Sequence, residues 1–85
     1  MEPQRETADT AAVREVALRQ RIENDFTYHA PKGNQAERYV QLREKAKEFA
    51  HLIVDLTPYS REQSLALTYL EQAVMIANAA IARNE

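Results

Sequence analysis

Residues 60–83 read SREQSLALTYLEQAVMIANAAIAR, and the way this run repeats decides the fold. Between Glu62 and Arg83 the only charge is Glu71. Leu67, Leu70, Val74, Ala77 and Ile81 recur at spacings of three and four, which is one apolar stripe of a helix. Ala66, Tyr69, Ala73, Ile76 and Ala80 make a second stripe one position earlier, and Leu65, Thr68, Gln72, Met75 and Ala79 a third. Three adjoining stripes span far more than the roughly 100° that a helix buries against one neighbour. Such a helix belongs inside something, and a chain of 85 residues with one other strong helix cannot wrap it. Self-association is expected. A membrane span is the other use of an apolar run, but Thr68, Glu71, Gln72, Asn78 and the high alanine content argue against it.

Working outward, the start of this helix is marked twice. Pro58 cannot sit inside a preceding helix without losing a hydrogen bond, and it pushes Thr57 towards extended geometry. Ser60 with Gln63 three residues on has the pattern of a capping box. Before the TPYS turn, residues 35–56 form a second helix, with Asn34 as N-cap and Glu37 in its first turn. Tyr39, Leu42, Ala46, Phe49, Ile53 and Leu56 are spaced as a heptad-type seam. Arg38 and Lys45 flank it on one side and Arg43 on the other, where charges are usually solvated. The turn is short, so the two helices pack antiparallel as an αα-hairpin. One seam cannot cover three stripes, so the hairpin must meet copies of itself or a partner.

Residues 25–34, DFTYHAPKGN, break helix with Pro31 and the chain's only glycine, Gly33. The segment gathers Phe26, Thr27, Tyr28, His29 and Lys32. Two readings stand here: a connector whose aromatics plug the end of a bundle, or a ligand loop. In the second, aromatic faces take a base while His29 and Lys32 offer donors and charge to a phosphate. Upstream, a first helix of about residues 9–24 is capped by Thr7, Asp9 or Thr10. It carries a thin stripe of Val13, Val16, Ala17, Leu18 and Ile22. Residues 1–6 are polar, hold Pro3, and are expected to be disordered.

The whole reads as one all-α domain, with a long antiparallel helical hairpin preceded by a shorter N-terminal helix. The composition fits a soluble helical protein, 28% charged and 45% hydrophobic. With no cysteine, thiolate chemistry and disulfides are excluded, and the polar N-terminus has no secretory pattern. A net charge of −2 gives no broad footprint for polymeric DNA or RNA. One glycine is too few for the phosphate-cradling loops. His29 and His51 have no metal-ligand spacing, and Ser60 and Ser64 have no nearby base. Glu15 and Glu23 sit on exposed faces. No cofactor is implied, and a metal-dependent nuclease or phosphodiesterase lacks its constellation.

The combination of FTYHAPKGNQAERY, LREKAKEFAHLI and SREQSLALTYLEQAVMIANAAIARN resembles the small phage proteins that carry the anti-CBASS/anti-Thoeris hairpin domain. The resemblance covers about residues 26–84. It implies a non-enzymatic sponge that sequesters cyclic dinucleotide or trinucleotide immune signals in the cytoplasm of the infected bacterial host, without membrane attachment. The alternatives are a Thoeris sponge for a cyclic ADP-ribose signal and a structural or adaptor hairpin that binds a protein. It also implies a homo-oligomer, commonly a hexamer, with pockets between protomers. In the family a loop tyrosine stacks on a base, and Tyr28 holds that place. A lysine of the first hairpin helix meets phosphate; Lys45 and Lys47 compete, and spacing to Ile53 and Leu56 favours Lys47. Ser60 and Arg61 beside the turn, then Ser64 and Thr68 at helical spacing, supply further donors near a helix N-terminus that favours anions.

Overall fold

A computed structural model describes residues 7–85 as three α-helices with no strand among the described residues. The expectation for residues 1–6 lies outside the described residues. α1 is Ala8–Asp25, α2 Gln35–Leu56 and α3 Arg61–Asn84. Thr7 caps α1, its side chain accepting from the Thr10 amide, so of the three candidate caps the first one serves.

α2 and α3 run antiparallel and pack along their lengths. At the turn, the Thr57 amide and hydroxyl both donate to the Ile53 carbonyl, at 3.1 and 2.6 Å, closing α2. Ser60 then opens α3 by accepting from the Gln63 amide at 3.1 Å. The box is only half made. Gln63 Nε2 bonds the Thr57 carbonyl and hydroxyl instead of returning to Ser60, which ties α3 to the end of α2. Asn34 holds the N-cap position of α2 as expected, but its side chain makes no cap bond. Gln35 does that work, its amide donating to the Lys32 carbonyl while its Oε1 accepts from the Lys32 amide. Gly33, at φ +56, occupies the left-handed region between them, where glycine is favoured.

The first stripe of α3 is the intramolecular seam: Leu67, Leu70, Val74, Ala77 and Ile81 are all half-buried. On α2 the half-buried apolar positions are Tyr39, Leu42, Ala46, Ala50 and Ile53. Phe49 and Leu56, expected in the seam, are exposed. A helix of 3.6 residues per turn drifts about 20° per heptad against a 3.5 repeat, and these two positions have rotated off the contact. The other two stripes of α3 stay largely open, with Tyr69, Met75 and Ile76 among the exposed large side chains.

α1 is held at one end. Arg83 pairs with Asp25 (3.6 Å), Asp25 with Arg21 (3.5 Å), and Asn24 Nδ2 donates to the Arg83 carbonyl at 3.1 Å. The rest of the helix projects as an arm. The chain measures 55 × 43 × 17 Å with a radius of gyration of 19.3 Å, against about 12 Å for a compact fold of this length. Among the described residues only Gln35 is fully buried. α3 is also long and apolar enough, by length and composition, to cross a membrane.

Candidate functional site

The antiparallel hairpin sorts the candidate residues by end. The loop between α1 and α2 lies beside the last turn of α3, and the turn carrying Ser60 and Arg61 lies at the far end of α2. At 1.5 Å per residue, α2 separates them by about 33 Å. No single small ligand on one chain reaches both groups. The proposed residues therefore form two sets, with the lysines of α2 between them.

At the loop end, an open cavity of about 350 Å³ lies between the loop, the start of α2 and the last two turns of α3. Tyr28 and His29 line it from the loop, Tyr39 from α2, and Asn78 and Arg83 from α3, with Asp25 at the end of α1. Tyr28 is 85% exposed, so its ring face is available at the rim. His29 is half-buried and its Nε2 donates to the Asn24 carbonyl at 2.9 Å, which orients the ring and pins the loop to α1. The Thr27 hydroxyl donates to the Glu23 carbonyl and continues the α1 ladder. Phe26 closes α1, its amide donating to Ile22, and its ring is exposed outside the cavity. Lys32 also stands outside the cavity, with its charge near Glu85.

Arg38, one turn into α2, holds Glu85 in a two-pronged pair, with one Nη1–Oε2 bond of 2.8 Å. Hydrogen bonding to Arg38 pulls the Glu85 carboxyl below the usual range, assisted by Gln35 and the Lys32 charge, and the same bond raises the Arg38 guanidinium. This ties the start of α2 to the end of α3, beneath the loop.

The two competing lysines face different sides, as residues two apart on a helix must. Lys45 lies on the flank with Arg38 and Leu42 and pairs with Glu48 at 3.3 Å. Lys47 lies on the other flank, beside an apolar groove of about 460 Å³ between α2 and α3 that is also lined by Arg43, Glu71 and Met75. Among the described residues, Arg43, Lys47 and Arg61 carry no ion pair. Arg43 and Lys47 are four residues apart and share one face, a spacing that lets two cations meet one phosphate. By sequence alone Arg43 reads as a solvated flanking charge. The i, i+4 spacing was the available signal.

At the turn end, much of the donor capacity is already used. Ser60 donates to the Pro58 carbonyl (3.0 Å) while accepting from Gln63, and Thr68 Oγ1 donates to the Ser64 carbonyl at 3.1 Å. Arg61 and Ser64 are exposed in the first turn of α3, where free amides and the helix dipole favour an anion. His51 is exposed on α2, five residues before the helix ends.

A family model described as the Acb2/Tad1 hairpin domain matches residues 18–82, more than three-quarters of the chain. The match takes in the last two turns of α1, the loop and nearly all of the hairpin. No curated protein and no solved structure matches the chain.

Proposed function

Because the chain belongs to the Acb2/Tad1 hairpin-domain family, we propose that it is an anti-defence sponge that sequesters cyclic dinucleotide or trinucleotide immune signals of the CBASS type without cleaving them. The observation that carries this reading is the cavity rimmed by Tyr28 and Tyr39. An aromatic face accepts any base, and a sponge needs base stacking joined to phosphate charge. In our reading Tyr28 stacks on a base, Lys47 and Arg43 take a phosphate, and Arg61 with Ser64 adds an anion contact at the turn. Lys45 is the weaker candidate because Glu48 already occupies it.

The ligand sites in this reading lie between copies, because the loop and turn sets sit at opposite ends of one chain. The surface supports assembly on independent grounds. The chain exposes 7565 Å², against about 5,200 Å² for a compact fold of its mass. The excess is about three times the roughly 800 Å² that one partner buries in a standard interface. We take a hexamer as the assembly because the family resemblance implies it, and the cytoplasm of an infected bacterium as the place of action.

The test is to mix the purified protein with a panel of cyclic dinucleotides, cyclic trinucleotides and cyclic ADP-ribose, with and without divalent metal. Bound material is then released by heat and identified by mass spectrometry. Intact cyclic dinucleotide or trinucleotide is expected. Recovery of cyclic ADP-ribose alone would move the reading to a Thoeris signal. Linearised product would make the protein an enzyme, and capture of no nucleotide would leave an adaptor hairpin, for which Tyr59, 97% exposed at the turn, is a ready contact.

A further inference from the structure

We propose that a second copy of the chain seats its Tyr69 in the cleft between α1 and α3, so that two copies pair through antiparallel α3 helices. This pairing goes beyond the sponge reading and does not depend on a nucleotide.

Where α1 leaves the hairpin as an arm, it opens a cleft of about 570 Å³ against α3. Ile76, Ala79, Ala80 and Arg83 form the α3 wall. Their spacing of i, i+3, i+4 and i+7 is that of the four residues that enclose one knob of a facing helix. Gln20 and Asn24 stand on the α1 side, so the hole has an apolar floor and a polar rim. A tyrosine suits such a site, because its ring is buried on the floor and its hydroxyl finds a partner at the rim. Tyr69 lies on the same open stripe of α3 as Ile76 and is 63% exposed in one chain.

The stripe also determines how the two helices lie. Ala66, Ala73 and Ala80 recur every seven residues, and Tyr69, Ile76 and Arg83 recur every seven between them. In a parallel pair alanine would face alanine and tyrosine would face tyrosine, leaving voids beside bulges. Run antiparallel, each alanine faces a large side chain. Tyr69 meets the partner's Ala80, and Ile76 meets the partner's Ala73, which fills every layer. Charge agrees with this direction. Arg21 and Arg83 share the Asp25 carboxylate, which leaves one positive charge in excess at the cleft. Glu62 is exposed and carries no ion pair among the described residues. In the antiparallel register Ala66 faces the partner's Arg83, and Glu62 lies one turn beyond, within reach of that guanidinium. A parallel pair would instead set Glu62 against the partner's Glu62. The contact repeats about a two-fold axis, so both clefts are filled at once. Ala79 and Arg83 also line the Tyr28 cavity, so the pairing brings the partner's Arg61 to the end of the hairpin that carries Tyr28. In the sponge reading this joins the loop and turn sets that one chain holds apart.

The chain has no cysteine, so introduced thiols report position without background. Ala66→Cys and Ala80→Cys leave Tyr69 and Ile76 in place. At 1.5 Å per residue, Ala66 lies about 5 Å along the axis from the partner's Ala80 but about 25 Å from the partner's Ala66. Ala80 lies about 17 Å from the partner's Ala80. A short bis-maleimide should therefore join the two variants, denatured and refolded together, into a covalent dimer on a denaturing gel. It should join neither variant with itself. Tyr69→Ala, harmless to a lone hairpin because the side chain is exposed there, should raise the dissociation constant of the pair in sedimentation on the order of tenfold or more, and Tyr69→Phe should raise it less. Cross-linking of either variant alone overturns the antiparallel pairing, as does a mixture that gives no dimer. Tyr69→Ala that assembles as tightly as the unmodified protein overturns the seating of Tyr69. Both measurements omit nucleotide, so their failure leaves the sponge reading intact, and failure to capture a nucleotide leaves the pairing intact.

Discussion

Ile76→Glu separates a self-associating hairpin from one that stands alone. Ile76 lies on the second stripe of α3 and is 70% exposed in one chain. In an isolated protomer a glutamate there would be solvated and nearly neutral for stability, since surface changes away from special features stay within about 0.5 kcal/mol. In an assembly the isoleucine buries most of its side chain, worth about 1.5–3 kcal/mol per copy. The glutamate would instead be buried without a partner, at a further cost of several kcal/mol. Each copy in a symmetric assembly would suffer the same loss, so the variant should fall apart. Light scattering on the unmodified protein should give a mass several times 9.8 kDa, and Ile76→Glu should give a monomer or an unfolded chain. The melting temperature of the unmodified protein should rise with concentration, as linkage requires. A variant of unchanged mass and melting temperature, or an unmodified protein that is a stable folded monomer, would refute the reasoning. Ala73→Glu, on the same stripe, should behave alike.

Three further outcomes are expected. Tyr28→Ala should weaken cyclic dinucleotide binding by about 1–3 kcal/mol while Tyr28→Phe costs much less, and neither should shift the ligand-free melting temperature, because the ring packs on nothing that it would leave empty. Lys47→Ala and Arg43→Ala should each weaken binding and flatten its salt dependence, whereas Lys45→Ala should do little; equal salt slopes for all three would remove the assignment. The Arg38–Glu85 pair should make stability acid-sensitive: the Glu85 carboxyl lies below its ordinary 4.5 when folded, so its contribution is present above that value and is lost as pH falls through the lower folded one. Glu85→Gln should remove that part of the acid limb in thermal melts recorded from pH 6 downward, and an unchanged profile would show that the pair contributes nothing.

The helices of the hairpin and the surplus of apolar surface on α3 were legible in the sequence alone, because both depend on local periodicity. Spacings of three and four place Leu67, Leu70, Val74, Ala77 and Ile81 on one line whatever surrounds them. Ser60 and the Thr57–Pro58 pair mark the turn by backbone chemistry that needs no distant partner. The tertiary structure decided what depends on relative placement. Ala50 rather than Phe49 meets α3, since the phase of the contact between two helices is set by both of them and drifts along their length. Gln35, a polar residue, is the most enclosed of the described residues, at 4% exposure, because its amide has found Lys32 on one side and the Glu85 carboxylate on the other. The opposition of Tyr28 to Asn78 spans half the chain in sequence and exists only because the antiparallel hairpin returns the end of α3 to the loop. Periodicity orders residues along one element; only packing brings residues from different elements to one cavity.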